Sequence, residues 1–208
     1  TLVLGAGNVS CIPLLDAIFH LVAKRSVVYI KLNPVNEYLL PVYEKVFQNF
    51  ISLGYVVITK GSLEESKYMT NHKGIDHIHL TGSDHTYENI VYGKTLTEEE
   101  KKLKSLKKIN NKSFSSELGN VTPIIIHPGN WSNSELKFQA RKIVTAKLNN
   151  GGFNCISAQI VVLPDEWKHT DKLIRYVKMY MNKIDDRFSY YPNSLNVLND
   201  LQKDKNYE

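Results

Sequence analysis

Short apolar runs alternate along this chain with stretches of helical periodicity, and that alternation constrains the fold more than any other feature. Residues 2–4 are apolar; Pro13 then stands near a helix start, with Leu14, Leu15, Ile18, Phe19, Leu21 and Val22 at helical spacing behind it. Residues 26–32, rich in Val and Ile, read as a buried strand. From about Asn36, the residues Tyr38, Leu39, Val42, Val46, Phe47, Phe50 and Ile51 predict the apolar face of a second helix, which Gly54 stops. Residues 55–59 form the next strand. Ser62 and Glu65 have the spacing of a capping box, and 75–80 reads as a strand ending in Thr81-Gly82-Ser83-Asp84. Further on, 123–126 and 158–163 are strands, Ser132 and Glu135 open a helix running to about Asn149, and 170–184 is the last clear helix. The polar, Asn-rich segment from Asp185 on is expected to be loop or a fraying end.

Strand and helix in alternation imply an α/β fold, a mainly parallel sheet with helices on both faces. Ligands of such sheets bind outside the carboxyl ends of the strands. The expected division is a first domain over residues 1–115, carrying a charged insertion at about 93–113, followed by a second over 116–208. With 208 residues, 42% of them hydrophobic, the chain can bury a sizeable core and is not of disordered composition. Cys11 and Cys155 are its two cysteines, too few for a disulfide framework or a zinc site, and their scarcity suggests a reducing, cytoplasmic compartment. No run approaches the roughly 20 apolar residues that span a bilayer, so no membrane partner is expected. The start at Thr1, inside an apolar run and without Met, is expected of an excerpt of a longer protein.

A net charge of +5 raises the question of an anionic partner. Much of the excess sits between Glu98 and Lys112, where Lys101, Lys102, Lys104, Lys107 and Lys108 follow Glu98, Glu99 and Glu100 without interleaved aromatics. That pattern is a solvated helix or loop, not a nucleic-acid surface. His77 and His79 alternate on one strand face with no cysteine or carboxylate at ligand spacing, and no metal is expected.

Two stretches bear on chemistry. Asn154-Cys155 follows the helix that ends near Asn149; a cysteine attacks carbonyls as thiolate, and Gly151-Gly152 beside it leaves room for a substrate and for backbone N–H donors facing a developing oxyanion. Burial as a small apolar residue is the alternative. Gly5-Ala6-Gly7-Asn8-Val9-Ser10 approaches the glycine-rich turn that holds a dinucleotide pyrophosphate, but lacks its third glycine. The second strand also ends in Lys31, where that fingerprint wants an acid.

Taken in order, Gly7-Asn8, Ile30-Lys31, Leu80-Thr81-Gly82-Ser83, Glu117-Leu118-Gly119 and Asn154-Cys155 resemble the motifs of the aldehyde dehydrogenase superfamily, over about residues 1–165. The resemblance implies that residues 1–115 form a Rossmann-like cofactor (dinucleotide-binding) domain and 116–208 the start of an α/β catalytic domain, and it implies oxidation of an aldehyde to a carboxylic acid with NAD or NADP. Cys155 would attack the aldehyde, Asn8 and the Cys155 backbone N–H would hold the oxyanion, and Glu117 would activate the water that hydrolyses the thioester. Lys31 would bind the adenosine ribose, while Gly82 and Ser83 would lie beside the pyrophosphate at a helix start. Without the resemblance, Asn8 reads as a turn residue, Lys31 as a strand terminus, Glu117 as a surface carboxylate and Ser83 as a helix cap. An acyl-CoA reductase of the same superfamily is one alternative, disfavoured by Glu117; a catalytically silent nucleotide-binding module is another. A homo-oligomer is implied for the full-length form.

The chain departs from the family's pattern in four places. Ala6-Gly7 stands where a Pro-Trp pair is usual, Leu32-Asn33-Pro34 follows Lys31 where NAD-preferring members often carry an acid, and Asn120 replaces a glycine. No counterpart of the family's later cofactor-contacting glutamate precedes Glu208, so these 208 residues alone are not expected to turn over.

Overall fold

The computed structural model describes residues 1–103 and 105–203, and Lys104 of the charged run lies outside the described residues. Two compact units divide the chain, Thr1–Gly119 and Asn120–Glu208.

The first unit is an α/β layer structure. Its strands and helices run β1 Leu2–Leu4, α1 Ile12–Ile18, β2 Val28–Lys31, α2 Leu40–Ser52, β3 Val56–Thr59, α3 Leu63–Asn71, β4 His77–Gly82, α4 Asp84–Tyr92, α5 Glu98–Lys101 and β5 Ser113–Leu118. A π-helical turn, Phe19–Ala23, continues α1, and a 3-10 turn, Pro34–Leu39, precedes α2. All five strands are parallel in the order β3-β2-β1-β4-β5. The chain leaves β1 toward β2 on one side and returns to β4 on the other, so the topological switch point lies between β1 and β4.

Alternation along the strands divides the core. Val3, Val28 and Ile30 pack with Ala17, Tyr43 and Phe47 on the side of α1 and α2. Leu2, Leu4, Ile78 and Leu80 face the other way, against Met69 of α3 and Tyr87 and Ile90 of α4. Each fully buried Leu or Ile contributes about 1.5–3 kcal/mol of transfer free energy. The expected parallel sheet with helices on both faces is what forms.

Local signals act as the residue types dictate. The Ser62 hydroxyl accepts from the Glu64 N–H at 3.1 Å while a Glu65 carboxylate oxygen accepts from the Ser62 N–H at 2.8 Å, closing the capping box of α3. In α2 the packed face differs in part from the expected one. Tyr38, Val42, Val46 and Phe50 are exposed, and Tyr43 and Phe47 are the buried residues. Phe47, with Leu39 and Ile51 beside it, packs on the core as expected, and Tyr43 joins that face with its hydroxyl donating to the Ser10 carbonyl at 2.7 Å. The charged insertion holds one short helix, α5. The buried Glu88 carboxylate anchors its approach by accepting from the Leu96 N–H at 2.9 Å and pairing with Lys101 at 3.4 Å.

The second unit contains β6 Thr122–Ile125, α6 Asn133–Leu148, β7 Ala158–Val162, α7 Thr170–Met181 and α8 Ser194–Leu201. Strands β6 and β7 pair in parallel, and α6 and α7 cover them through Leu136, Ala140, Ile143, Trp167 and Leu173. The segment after Asp185 departs from the expected loop, because α8 forms there. Leu195, Leu198 and Leu201 recur at helical spacing, and the last two line a cavity of about 400 Å³ together with Phe153 and Tyr191.

Leu136 is fully buried at the centre of this core. Leu136→Ala is expected to destabilise the second unit by about 3 kcal/mol through lost transfer energy and the cavity left behind. Trp131 and Trp167, the two tryptophans of the chain, stack edge to face 4.9 Å apart in the same unit. A denaturant titration followed by tryptophan emission therefore reads this unit alone, and an unchanged midpoint would contradict the packing described.

Candidate functional site

The carboxyl edge of the five-stranded sheet collects the candidate residues of the first unit. After β1 the chain turns through Gly5–Ser10, and three distant groups pin that turn by its backbone. The Gly5 N–H donates to the Lys31 carbonyl at 3.0 Å, Asn36 Nδ2 donates to the Ala6 carbonyl at 2.9 Å, and Tyr43 holds the Ser10 carbonyl as described. Gly7 must lack a side chain, since a Cβ there would lie 2.7 Å from the Asn33 side chain. Asn8 is thus presented, half-buried, from a braced turn.

Lys31 closes β2 and is buried, 7% exposed. Burial pushes its ammonium pKa below the usual lysine value, against an opposing pull from the carboxylates of Glu37 and Glu65. Thr59, its partner in register at the end of β3, has a buried hydroxyl oxygen with no hydrogen-bond partner among the described residues. Gly82 ends β4 and Ser83 caps α4, its hydroxyl accepting from the Thr86 N–H at 3.1 Å. Glu117 sits near the end of β5, exposed, opposite Thr81. β5 itself carried too few apolar residues to be read from sequence.

Cys155 belongs to the second unit. It lies exposed and unpaired in the turn between α6 and β7, so it is not sealed in apolar packing. Asn150 (φ 53°), Gly151 (φ 63°) and Gly152 (φ 83°) make three successive left-handed steps that bring the chain off the end of α6. Glycine is the residue that takes such steps without strain. Asn150 Nδ2 donates to the Asn154 side-chain oxygen at 3.1 Å, the Tyr190 hydroxyl donates to the Asn150 side-chain oxygen at 3.2 Å, and Phe153 stacks on Tyr191 with centroids 5.4 Å apart. These contacts brace both sides of the thiol-bearing turn.

The sequence reading found the strand ends and the cysteine turn, but not the residues that fix them. Asn36, Tyr43 and Tyr190 act over 30 or more positions on groups that leave no local pattern. Among the described residues, no group of three or more His, Cys, Asp or Glu side chains is arranged to hold a metal ion. No helix among them is long and apolar enough to cross a membrane.

A parallel sheet with its switch point between β1 and β4, followed by a unit that presents a thiol from a glycine turn, defines a Rossmann-like α/β protein with a candidate cysteine site. The sequence profile of the aldehyde dehydrogenase family matches residues 52–188, about two thirds of the chain, and the chain belongs to that family. The match includes Gly82, Ser83, Glu117 and Cys155, with Asn8 and Lys31 ahead of it. Solved structures agree in fold. An aldehyde dehydrogenase from Mycobacterium tuberculosis, complexed with NAD+, is 17% identical, with a TM-score of 0.63 over 88% of this chain and 34% of its own. NADP-dependent glyceraldehyde-3-phosphate dehydrogenase from Bacillus halodurans C-125, complexed with NADP, is 21% identical, with a TM-score of 0.62 over 88% and 34%. Aldehyde dehydrogenase 21 from Physcomitrella patens, in complex with the reaction product succinate, is 14% identical, with a TM-score of 0.64 over 88% and 35%. The chain spans about a third of the length of these structures. No match is found among curated proteins.

Proposed function

We propose that this chain carries the cofactor edge and the nucleophile of an NAD(P)-dependent aldehyde dehydrogenase. One observation carries the reading: a single parallel sheet gathers the Asn8 turn, Lys31, Gly82-Ser83 and Glu117 along its carboxyl edge. The buried Lys31 ammonium and the unpartnered Thr59 hydroxyl beside it suit the hydroxyls of a ribose. Ser83 and the first N–H groups of α4 suit a pyrophosphate.

In this reading the Cys155 thiolate adds to the aldehyde carbon, and the oxygen becomes an oxyanion held by the Asn8 amide and the Cys155 N–H. A dinucleotide held by Lys31, Gly82 and Ser83 would supply the hydride acceptor for the oxidation. Glu117 then accepts a proton from the water that attacks the thioester, releasing the carboxylic acid and the thiolate. A water-activating glutamate favours hydrolysis over transfer to CoA. The same reading takes a homo-oligomer as the working form and the cytoplasm as its setting, which suits two exposed, unpaired cysteines.

Calorimetric titration of the intact protein with NAD+ and with NADP+ tests the cofactor edge. Binding of at least one dinucleotide is expected, and Lys31→Met is expected to weaken it about 10- to 100-fold, the loss of a charged hydrogen bond worth about 1.5–3 kcal/mol. Failure of the unsubstituted protein to bind either dinucleotide would end the reading.

A further inference from the structure

His20 is buried, 2% exposed, and neither of its ring nitrogens has a hydrogen-bond partner among the described residues. A buried imidazole without partners is unusual enough to need an explanation. Its ring lies 5.2 Å from that of His77 and 5.0 Å from that of His79, centroid to centroid. The other two histidines are engaged. His77 Nδ1 and Nε2 meet the hydroxyls of Ser113 and Ser115 at 2.9 and 2.8 Å, and His79 Nδ1 shares the Ser115 hydroxyl at 2.8 Å. His79 Nε2 faces the Asp16 carboxylate at 3.5 Å, and the Thr81 hydroxyl donates to the same carboxylate at 3.0 Å.

The element that carries His20 is the π-helical turn Phe19–Ala23, a rare geometry that is frequent at functional sites. From α1 one carboxylate, Asp16, faces the cluster; from β4 come His77 and His79; and Lys24 follows the π turn. β5 contributes only the neutral hydroxyls of Ser113 and Ser115. Positive groups therefore outnumber negative ones around His20 as soon as the imidazoles take up protons.

We propose that His20, seated between His77 and His79, is an acid-sensitive latch: protonation releases the π-helical turn and the end of α1 from the face of β4 and β5. This goes beyond the enzymatic reading and does not depend on it. Because α1 begins directly behind the turn that bears Asn8, the latch also loosens that turn.

The direction follows from linkage. In the seated state burial, then the charges of His79 and His77, hold the His20 pKa down at about 4, whereas a solvated imidazole titrates near 6.5. The released state thus binds a proton that the seated state refuses between those values. Seating is fully favoured above the solvated value and is lost progressively as the pH falls below it. Lowering the pH from 7 to 5 shifts the equilibrium toward release about 20-fold through His20 alone.

Amide hydrogen exchange at pH 7 and pH 5, corrected for intrinsic exchange rates, reads this shift directly. In the unsubstituted chain the amides of residues 12–24 are expected to lose about 20-fold in protection, while those of α2 in the same unit hold theirs; in His20→Leu the loss shrinks to a few-fold. Equal protection at both pH values overturns the latch. So does an equal loss in α2, which is acid unfolding of the whole first unit, and so does an undiminished loss in His20→Leu. If that variant does not fold, an NMR titration of the histidine Cε1 protons in the unsubstituted chain decides: a His20 midpoint below about 5 upholds the latch and one near 6.5 overturns it.

Discussion

Replacing Cys155 with alanine in the intact protein is expected to abolish aldehyde-dependent reduction of the dinucleotide, a fall of about a thousandfold or more, while dinucleotide binding stays unchanged. The two halves of that expectation rest on different units. The thiol stands exposed on a turn whose shape comes from Asn150, Gly151 and Gly152 and whose bracing comes from Phe153, Tyr190 and Tyr191. None of those braces involves the sulfur, so its removal leaves the turn in place. The proposed cofactor edge belongs to the first unit and does not include the cysteine. Progress curves at 340 nm measure the first half, and calorimetry the second. Retained steady-state turnover in Cys155→Ala would remove the nucleophile from the scheme. An unsubstituted protein that binds dinucleotide tightly, yet leaves Cys155 unmodified by iodoacetamide, would instead be a silent nucleotide-binding module.

The sheet was legible because most of its strands are short apolar runs with few alternatives. Val28–Lys31 and the Ile78 and Leu80 positions of β4 announce buried parallel strands by composition alone, and Val56–Thr59, at the edge, is equally rich in β-branched residues. Helix starts were legible where side chains satisfy the first N–H groups, and Ser62 with Glu65 and Ser132 with Glu135 both close as capping boxes. β5 was not legible. Its Ser-Phe-Ser-Ser-Glu-Leu places polar side chains on the face toward α1, where Ser113 and Ser115 meet His77 and His79, so only Phe114 and Leu118 mark it as a strand. Polar contacts between strands replace the alternation that a sequence reading uses. α8 was hidden for a related reason: its leucines are spread through an Asn- and Asp-bearing segment and face a cavity more than a core.

The candidate site divides along the same line. Residues that stand at strand ends, Lys31, Gly82 and Ser83, follow apolar runs and could be placed from the pattern. Those that hold the ends in position could not. Asn36 and Tyr43 reach back 30 and 33 residues to backbone carbonyls of the Gly5–Ser10 turn, and a backbone acceptor has no sequence signature. His20 was equally obscure, since it occupies an apolar helical position and its relation to His77 and His79 depends on the order β1-β4-β5. Long-range polar contacts of this kind decide where a turn sits to within an ångström, which is the scale on which catalysis depends.

Glu117→Gln separates the two half-reactions. The variant is expected to give one rapid equivalent of reduced dinucleotide and then turn over about 10²- to 10⁴-fold more slowly, because the amide cannot take a proton from water. The burst itself should survive, since Glu117 takes no part in attack by the thiolate. Folding offers no competing explanation. Glu117 is exposed on an edge strand, and glutamine preserves the length and shape of the side chain along the β4–β5 ladder opposite Thr81. Rapid-quench measurement of reduced dinucleotide in the intact protein resolves burst from steady state. A variant that cycles at the unsubstituted rate would make Glu117 the surface carboxylate that its exposure alone suggests. A slow phase that accelerates on addition of CoA would show the thioester leaving by transfer, and would move the protein toward the acyl-CoA reductases of its superfamily.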